Sequence, residues 1–226
     1  MPLNLAMWIM TGAELALWTL LALLFWRKRL QVRFPALGIY LALHVVSTPL
    51  LLIALWIQSQ PWGYEYYPVY YYLYWLVYIS SAVLLYFVCT EIFRASLVAF
   101  PGLMRFGVVI FRWMALASLI VTISTISFKQ PGTLVVTSIA YALMRAVSIL
   151  ELCLLAFLCL SMNALQMTVR DMAFGVALSF GMMSANDFIQ SSLLSIYSTL
   201  TAPLQFFYQS GILCSLGVWA VYLALP

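Results

Sequence analysis

Ionisable side chains lie inside long apolar stretches of this sequence, where they are costly to place. There are six of them: Glu14, His44, Arg112, Arg145, Glu151 and Asp187. A charge inside a membrane span is kept mainly where it binds, pairs or transfers a proton, so each of the six is a candidate site residue. A helical rise of about 1.5 Å per residue sorts them by depth into two layers.

The upper layer consists of Glu14, Arg145 and Asp187, roughly 18 to 22 Å from the cytoplasmic ends of their helices. Two carboxylates beside one guanidinium leave negative charge, so the site either holds a proton or accepts a cation or an amine. Asn186 precedes Asp187 in the most polar stretch of any apolar segment. We predict that Glu14, Arg145, Asn186 and Asp187 bind a ligand.

The lower layer consists of His44, Glu151 and Arg112, roughly 10 to 13 Å from the cytoplasmic ends. Histidine titrates near neutral pH, so a proton relay through these three residues is predicted. The alternative for His44 is a hydrogen-bonded packing role. For both layers the alternative is that the charges pair with one another and fix helix register without binding anything.

Eight tyrosines occur between residues 64 and 78. Most of them suit the membrane interface, where aromatic rings with a polar end are enriched. Tyr71, Tyr74 and Tyr78 continue into the apolar segment at spacings of 3 and 4, which place them on one helix face. They predict a vestibule suited to sugars, aromatic metabolites or organic cations. Ordinary helix packing through cross-helix hydrogen bonds is the alternative.

The elements that position these side chains are apolar, since 66% of the chain is hydrophobic and 7% is charged. An ordinary soluble protein is roughly 25% charged. The mean hydropathy is +1.07, which excludes a disordered chain, and a net charge of +4 does not give the basic face of a nucleic-acid binder. The composition predicts an all-α integral membrane protein whose main partner is the lipid bilayer.

About 20 apolar residues in a helix cross a bilayer core about 30 Å thick. Charges, prolines and polar clusters divide the chain into seven such segments, and their predicted bounds are 3–26, 36–57, 69–93, 105–127, 134–160, 172–195 and 203–224. Basic residues concentrate in the first, third and fifth loops, which predicts an outside N-terminus and a cytoplasmic C-terminus. Because the basic run Arg27 to Arg29 follows the first apolar segment, that segment is expected to be a retained helix.

An internal repeat is indicated when the chain is shifted by 137 residues against itself. Glu14 then matches Glu151, Ser47 matches Ser184, and a shared Val-Arg-x-x-Ala-x-Gly motif precedes or opens the second helix of each half. Chance similarity is the alternative. The repeat predicts one transmembrane domain, 1–226, built from three helices in 1–93, a linker helix in 94–130 and three helices in 131–226.

This three-plus-one-plus-three arrangement resembles the sugar-transporter and Pro-Gln-loop superfamily, although the chain contains no Pro-Gln dipeptide. The resemblance implies a substrate path between two triple-helix bundles. Separately, Tyr74-Trp75 followed by Glu91-Ile92-Phe93-Arg94 is similar to a family of uncharacterised bacterial seven-helix membrane proteins. That similarity implies no activity. It implies a bacterial inner membrane as the location.

The sequence lacks the residues that several known classes of membrane protein need for their reactions or cofactors. The lysines, Lys28 and Lys129, lie outside the last span, where a retinal protein would need one. A single histidine excludes paired haem ligation and multi-histidine iron sites, and neither a His-Glu-x-x-His nor a Gly-x-Ser-Gly-like protease motif occurs. We therefore expect no metal, no cofactor and no catalytic residue, and hence no enzyme.

Three functions stay open from the sequence. The first is a transporter of a small solute, with proton coupling as a variant. The second is a seven-helix sensor that binds a small ligand and signals to a separate cytoplasmic effector. The third is a structural subunit of a membrane complex. A homo-oligomer is an open alternative for the partner. Residues 1–226 include no kinase, cyclase or other output domain, so a transporter is expected more than a sensor.

Overall fold

The computed structural model describes residues 2–58, 67–97, 132–161, 171–196 and 201–224, together with positions 107, 109, 111–114, 116, 117 and 120. The regular structure of these residues is helical. Six long helices are present: α1 (Pro2–Arg27), α2 (Pro35–Gln58), α3 (Tyr67–Ser96), α4 (Gly132–Ser161), α5 (Met172–Ile196) and α6 (Thr201–Ala224). A short 3-10 helix, Leu30–Val32, lies between α1 and α2.

Each of the six helices has 24 to 30 residues. At about 1.5 Å of rise per residue they are roughly 36 to 45 Å long, which exceeds a bilayer core of about 30 Å. Among the described residues, all six are long and apolar enough to cross a membrane. The prediction of an all-helical, multi-pass membrane architecture is therefore confirmed, and six of the seven predicted spans have a matching helix.

Hydroxyl side chains within these helices are satisfied locally. Thr11, Thr48, Thr90, Ser179 and Ser215 each donate a hydrogen bond to the carbonyl four residues earlier, at 2.8 to 3.0 Å. This bond gives a polar side chain a partner where no water is available. The hydroxyls therefore do not prevent these segments from lying in lipid.

The six helices form a closed ring in chain order. Each helix packs on the next, and α6 packs on α1. Helices α1 and α6 run parallel, because Glu14 contacts Gln209 and, further along both helices, Trp18 contacts Trp219. The N-termini of α1 and α6 therefore lie at the same end of the ring.

Helices α3 and α4 are also parallel neighbours. Phe93 contacts Phe157 with ring centroids 5.2 Å apart, and Ala82 and Ala146, both earlier in their helices, line one groove. The described positions between 107 and 120 are helical and lie beside α3. The predicted fourth span, 105–127, lies largely outside the described residues.

These described positions run in the direction opposite to α3. Gly107 lies against Phe93 and Leu97, because a Cβ at this glycine would be 3.0 to 3.1 Å from their side chains. Phe111 stacks on Phe93 at 5.2 Å and on Tyr86 at 6.4 Å. The order of contacts therefore moves back along α3 as the residue number rises.

The two halves of the ring along its axis differ in packing. One half is filled by buried apolar side chains from all six helices: Leu21, Phe25, Leu37, Leu41, Val88, Ile92, Leu154, Leu158, Ala177, Leu216 and Leu223. The outer surface carries large exposed apolar side chains, among them Trp8, Ile39, Leu76 and Leu160. An apolar exterior suits contact with lipid chains. The other half of the ring encloses a polar cavity.

Candidate ligand-binding cavity

A cavity of about 370 Å³ lies inside the ring, and all six described helices contribute to its wall. It lies in the half that contains the N-terminal portions of α1, α3, α4 and α6. The polar and aromatic side chains that line it are Thr11, Glu14, Trp18, Tyr40, His44, Ser47, Thr48, Tyr70, Tyr74, Tyr78, Ser81, Glu151, Phe180, Asp187, Tyr208 and Gln209. Its size is at the lower end of the range for small-molecule sites, roughly 300 to 1,000 Å³.

Glu14 enters the cavity from α1 with both carboxylate oxygens bonded. The indole Nε1 of Trp18 donates to Oε1 at 3.3 Å, one helical turn further along. The amide of Gln209 on α6 donates to Oε2. The carboxylate is therefore held in place at the contact between the first and last helices.

His44 on α2 is positioned by an aromatic stack and a hydroxyl. Its ring is 4.2 Å from that of Trp18, with an interplanar angle of 8°, and Tyr40 makes an edge contact at 4.6 Å. Nε2 lies 3.3 Å from the hydroxyl oxygen of Ser81 on α3. The histidine is thus a packed and hydrogen-bonded residue that also lines the cavity.

Glu151 on α4 is the most buried acidic group of the cavity, with 4% of its surface exposed. The hydroxyl of Ser184 on α5 donates to its Oε2. Its Oε1 is buried and has no hydrogen-bond partner among the described residues. Because an unpaired buried polar atom costs free energy, this oxygen marks a place where the protein alone is incomplete.

Asp187 on α5 lies near the phenol of Tyr208 on α6, with which it is hydrogen-bonded. Tyr208 in turn lies within electrostatic range of Tyr74 and Tyr78 on α3. Asp187 and Glu151 are also within electrostatic range of each other. Two carboxylates and three phenols therefore face the same region of the cavity.

Four aromatic rings close the cavity toward the packed half of the ring, and we call them the aromatic floor: Trp18, Tyr40, Phe180 and Trp219. Their exposed fractions are 3% or less. Adjacent rings have centroids 5.1 to 6.1 Å apart.

The structure brings together some of the predicted site residues in one cavity: Glu14, His44, Tyr74, Tyr78, Glu151 and Asp187. This arrangement differs from the two layers expected from depth along the helices. Arg145 and Arg112 are exposed and do not line this cavity, and Arg112 lines a separate groove between α3 and α4. Tyr71 is replaced in the wall by Tyr70.

Asn186 is placed in a helix contact instead of the cavity wall. Its amide donates to the backbone carbonyl of Tyr208 at 2.8 Å. The absence of a side chain at Gly211 makes this possible, because a Cβ there would be 2.7 Å from the amide. A small residue on α6 thus lets Asn186 join α5 to α6.

The electrostatic balance of the cavity is acidic. Three carboxylates line it, and the lining residues that the structure describes include no lysine or arginine. The same described part of the chain contains no group of three or more His, Cys, Asp or Glu residues arranged to hold a metal ion. The acidic lining therefore suits a positively charged group.

Sequence reasoning missed several lining residues, notably Tyr40, Ser47 and Thr48 on α2. Together with His44 they follow a spacing of 4, 7 and 8 residues from Tyr40, which is one face of a helix. That spacing in the sequence could have predicted that these four residues share a helix face. Ser81 and Tyr70 similarly belong to the helix face of Tyr74 and Tyr78.

The chain matches no protein-family model, no curated protein and no solved structure with which it was compared.

Proposed function

We propose that this protein is a membrane transporter of a small solute that binds in the central cavity. The observation that carries the proposal is the acidic wall: Glu14, Glu151 and Asp187 come from three different helices and line one cavity. Buried carboxylates need a counter-charge, which either a proton or a cationic solute supplies. Proton coupling is therefore part of the proposal.

We propose that the chain spans a bacterial inner membrane seven times. Its N-terminus then lies outside and its C-terminus lies in the cytoplasm. The parallel packing of α3 on α4 supports an intervening span, because the chain must return to the starting side between them. The basic residues Arg27, Lys28 and Arg29 at the end of α1 support the orientation.

We also propose a repeat of α1–α3 in α4–α6. Helices α2 and α5 begin at Pro35 and Met172, which differ by the same 137 positions as the sequence match. Equivalent side chains also meet. Trp18 stacks on His44, and at the matched positions Leu155 lies so close to Gly181 that a Cβ would overlap it.

The proposal is tested by reconstituting the full chain into liposomes and measuring uptake of radiolabelled phenylethylamine, alanine and glucose with and without a pH gradient. The test variant is Asp187→Asn, and the matched control is Asp171→Asn, the same change at the start of α5 and outside the cavity wall. We expect uptake of at least one solute that is lost in the first variant and kept in the second. No uptake of any of the three, or equal uptake in both variants, would contradict the proposal.

A ligand sensor is the second candidate, favoured by the aromatic floor that closes the cavity on one side. If the protein is a sensor, we expect saturable binding of a ligand to the purified chain and no uptake of that ligand into liposomes. Ligand addition should also change trypsin cleavage at Arg29 and Arg33, which lie in the exposed connection between α1 and α2. Uptake into liposomes that depends on Asp187 would rule against this candidate.

A further inference from the structure

The acidic charge of the cavity favours a ligand that carries a positive charge. Glu14 has a donor on each oxygen, from Trp18 and Gln209. Glu151 and Asp187 share one region and are within electrostatic range of each other. No lysine or arginine of the described lining faces them. A positive group that enters the cavity would therefore be attracted most strongly to Glu151 and Asp187, because hydrogen bonds already stabilise the carboxylate of Glu14.

One oxygen of Glu151 is the atom that a positive group would contact, because it has no hydrogen-bond partner among the described residues. Oε2 is occupied by Ser184, whereas Oε1 has no donor among the described residues. Because the group is 4% exposed, bulk water does not replace the missing donor freely. An N–H donor on the ligand would complete the set of hydrogen bonds, and a charged one would do so most strongly.

The aromatic wall separates organic cations from inorganic ones. A metal ion needs several oxygen ligands at short distance, typically six or more for calcium, and the described residues offer no such group. Aromatic faces instead attract cations that carry little bound water. Tyr74, Tyr78 and Tyr208 are near one another and near Asp187. The cavity of about 370 Å³ also has room for an organic body beside the charged head.

We propose that the cavity is a binding site for an organic ammonium ion, with its N–H groups on Glu151 and Asp187 and its organic part against Tyr74, Tyr78 and Tyr208. The proposal deepens the transport function and rests on it for the identity of the transported solute. Binding itself does not depend on transport. The two can therefore fail separately.

The test is equilibrium binding to the purified full chain in detergent. The probes are radiolabelled phenylethylamine and methylamine, with tetramethylammonium, phenylethanol, phenylacetate, glucose and sodium ions as competitors. We expect saturable binding of at least one amine, competed by the other amine at least about tenfold better than by tetramethylammonium, which has no N–H group, or by sodium ions, phenylethanol or phenylacetate. This comparison needs no variant and so does not depend on how a variant folds.

Two variants then locate the ammonium group. Glu151→Gln and Asp187→Asn keep the shape of each side chain and should each weaken amine binding at least about tenfold. Asp171→Asn should leave it unchanged. Amine binding that phenylethanol or phenylacetate competes for equally well, or that both cavity variants leave unchanged, would overturn the proposal, as would absence of saturable binding for both amines.

Flux measurements separate the two proposals. Amine binding in detergent without uptake into liposomes supports the ammonium site and contradicts the transporter. Uptake of glucose by a protein that binds neither amine supports the transporter and overturns the ammonium site.

Discussion

The carboxylate of Glu91 on α3 accepts a hydrogen bond from the backbone N–H of Ala36 on α2 at 2.8 Å. Its second oxygen accepts the N–H of Leu37 at 3.3 Å. Both N–H groups lie in the first turn of α2, where no carbonyl of the same helix is available to them. These hydrogen bonds join α3 to the start of α2, and Glu91 also forms a local pair with Arg94, which lies within electrostatic range on the same helix.

Replacing Glu91 by Ala should lower the thermal stability of the protein in detergent. The change leaves two donors at the helix start without their acceptor, and loss of a helix cap costs about 0.5 to 2 kcal/mol. Glu91→Gln keeps an acceptor oxygen and should have a smaller effect. Arg94→Ala is the control, because the side chain is exposed. If the Arg94 variant is as unstable as the Glu91 variants, the local pair is the more important contact.

Adding a methyl group at Gly175 should destabilise the protein by about 1 to 3 kcal/mol. A Cβ there would overlap the ring of Tyr222, so α5 and α6 would have to move apart. Gly12→Ala is the control, since a Cβ at Gly12 meets no atom within 4 Å. Unfolding titrated with dodecyl sulfate in mixed micelles measures both variants. Equal stability of the two would contradict the close contact.

Asn186→Ala should cost stability without weakening ligand binding. Its amide joins α5 to the carbonyl of Tyr208 and does not line the cavity. Hydrogen bonds between membrane helices contribute about 0.6 kcal/mol on average and up to about 1.7 kcal/mol. Ser210→Ala is the control on α6, because that hydroxyl bonds only to its own helix at 2.8 Å among the described contacts. A change in amine affinity without a change in stability would return Asn186 to the binding site.

Trp219 should tolerate a change to Phe far better than a change to Ala. Its indole Nε1 is buried without a hydrogen-bond partner among the described residues, so Phe removes an unsatisfied donor and keeps most of the ring contacts. We expect Trp219→Ala to cost about 3 to 5 kcal/mol and Trp219→Phe less than about 1.5 kcal/mol. Mixed-micelle unfolding measures the difference. A large loss in the Phe variant would mean that Nε1 has a partner in the membrane.

The helices could be predicted from the sequence because a membrane span has a fixed minimum length. The predicted segment 36–57 corresponds to Pro35–Gln58, and the segment 172–195 corresponds to Met172–Ile196. Charges and prolines at the segment ends supplied the bounds. The six long helices of the described residues therefore needed no information about packing.

The rotation of each helix about its axis could not be predicted in the same way. When nearly every position is apolar, the pattern does not distinguish the face that meets lipid from the face that meets other helices. Depth placed Arg145 beside Glu14 and Asp187, yet the structure leaves it exposed. The predicted tyrosine face also differs in one residue: Tyr70, and not Tyr71, lines the cavity with Tyr74 and Tyr78.

The aromatic floor is shared equally between the helices α1–α3 and the helices α4–α6. Trp18 with Tyr40, and Phe180 with Trp219, are contacts inside each group. Trp18 with Trp219, and Tyr40 with Phe180, cross from one group to the other. Between the two groups of helices the floor is therefore held by ring contacts alone, with no hydrogen bond between the four rings among the described contacts.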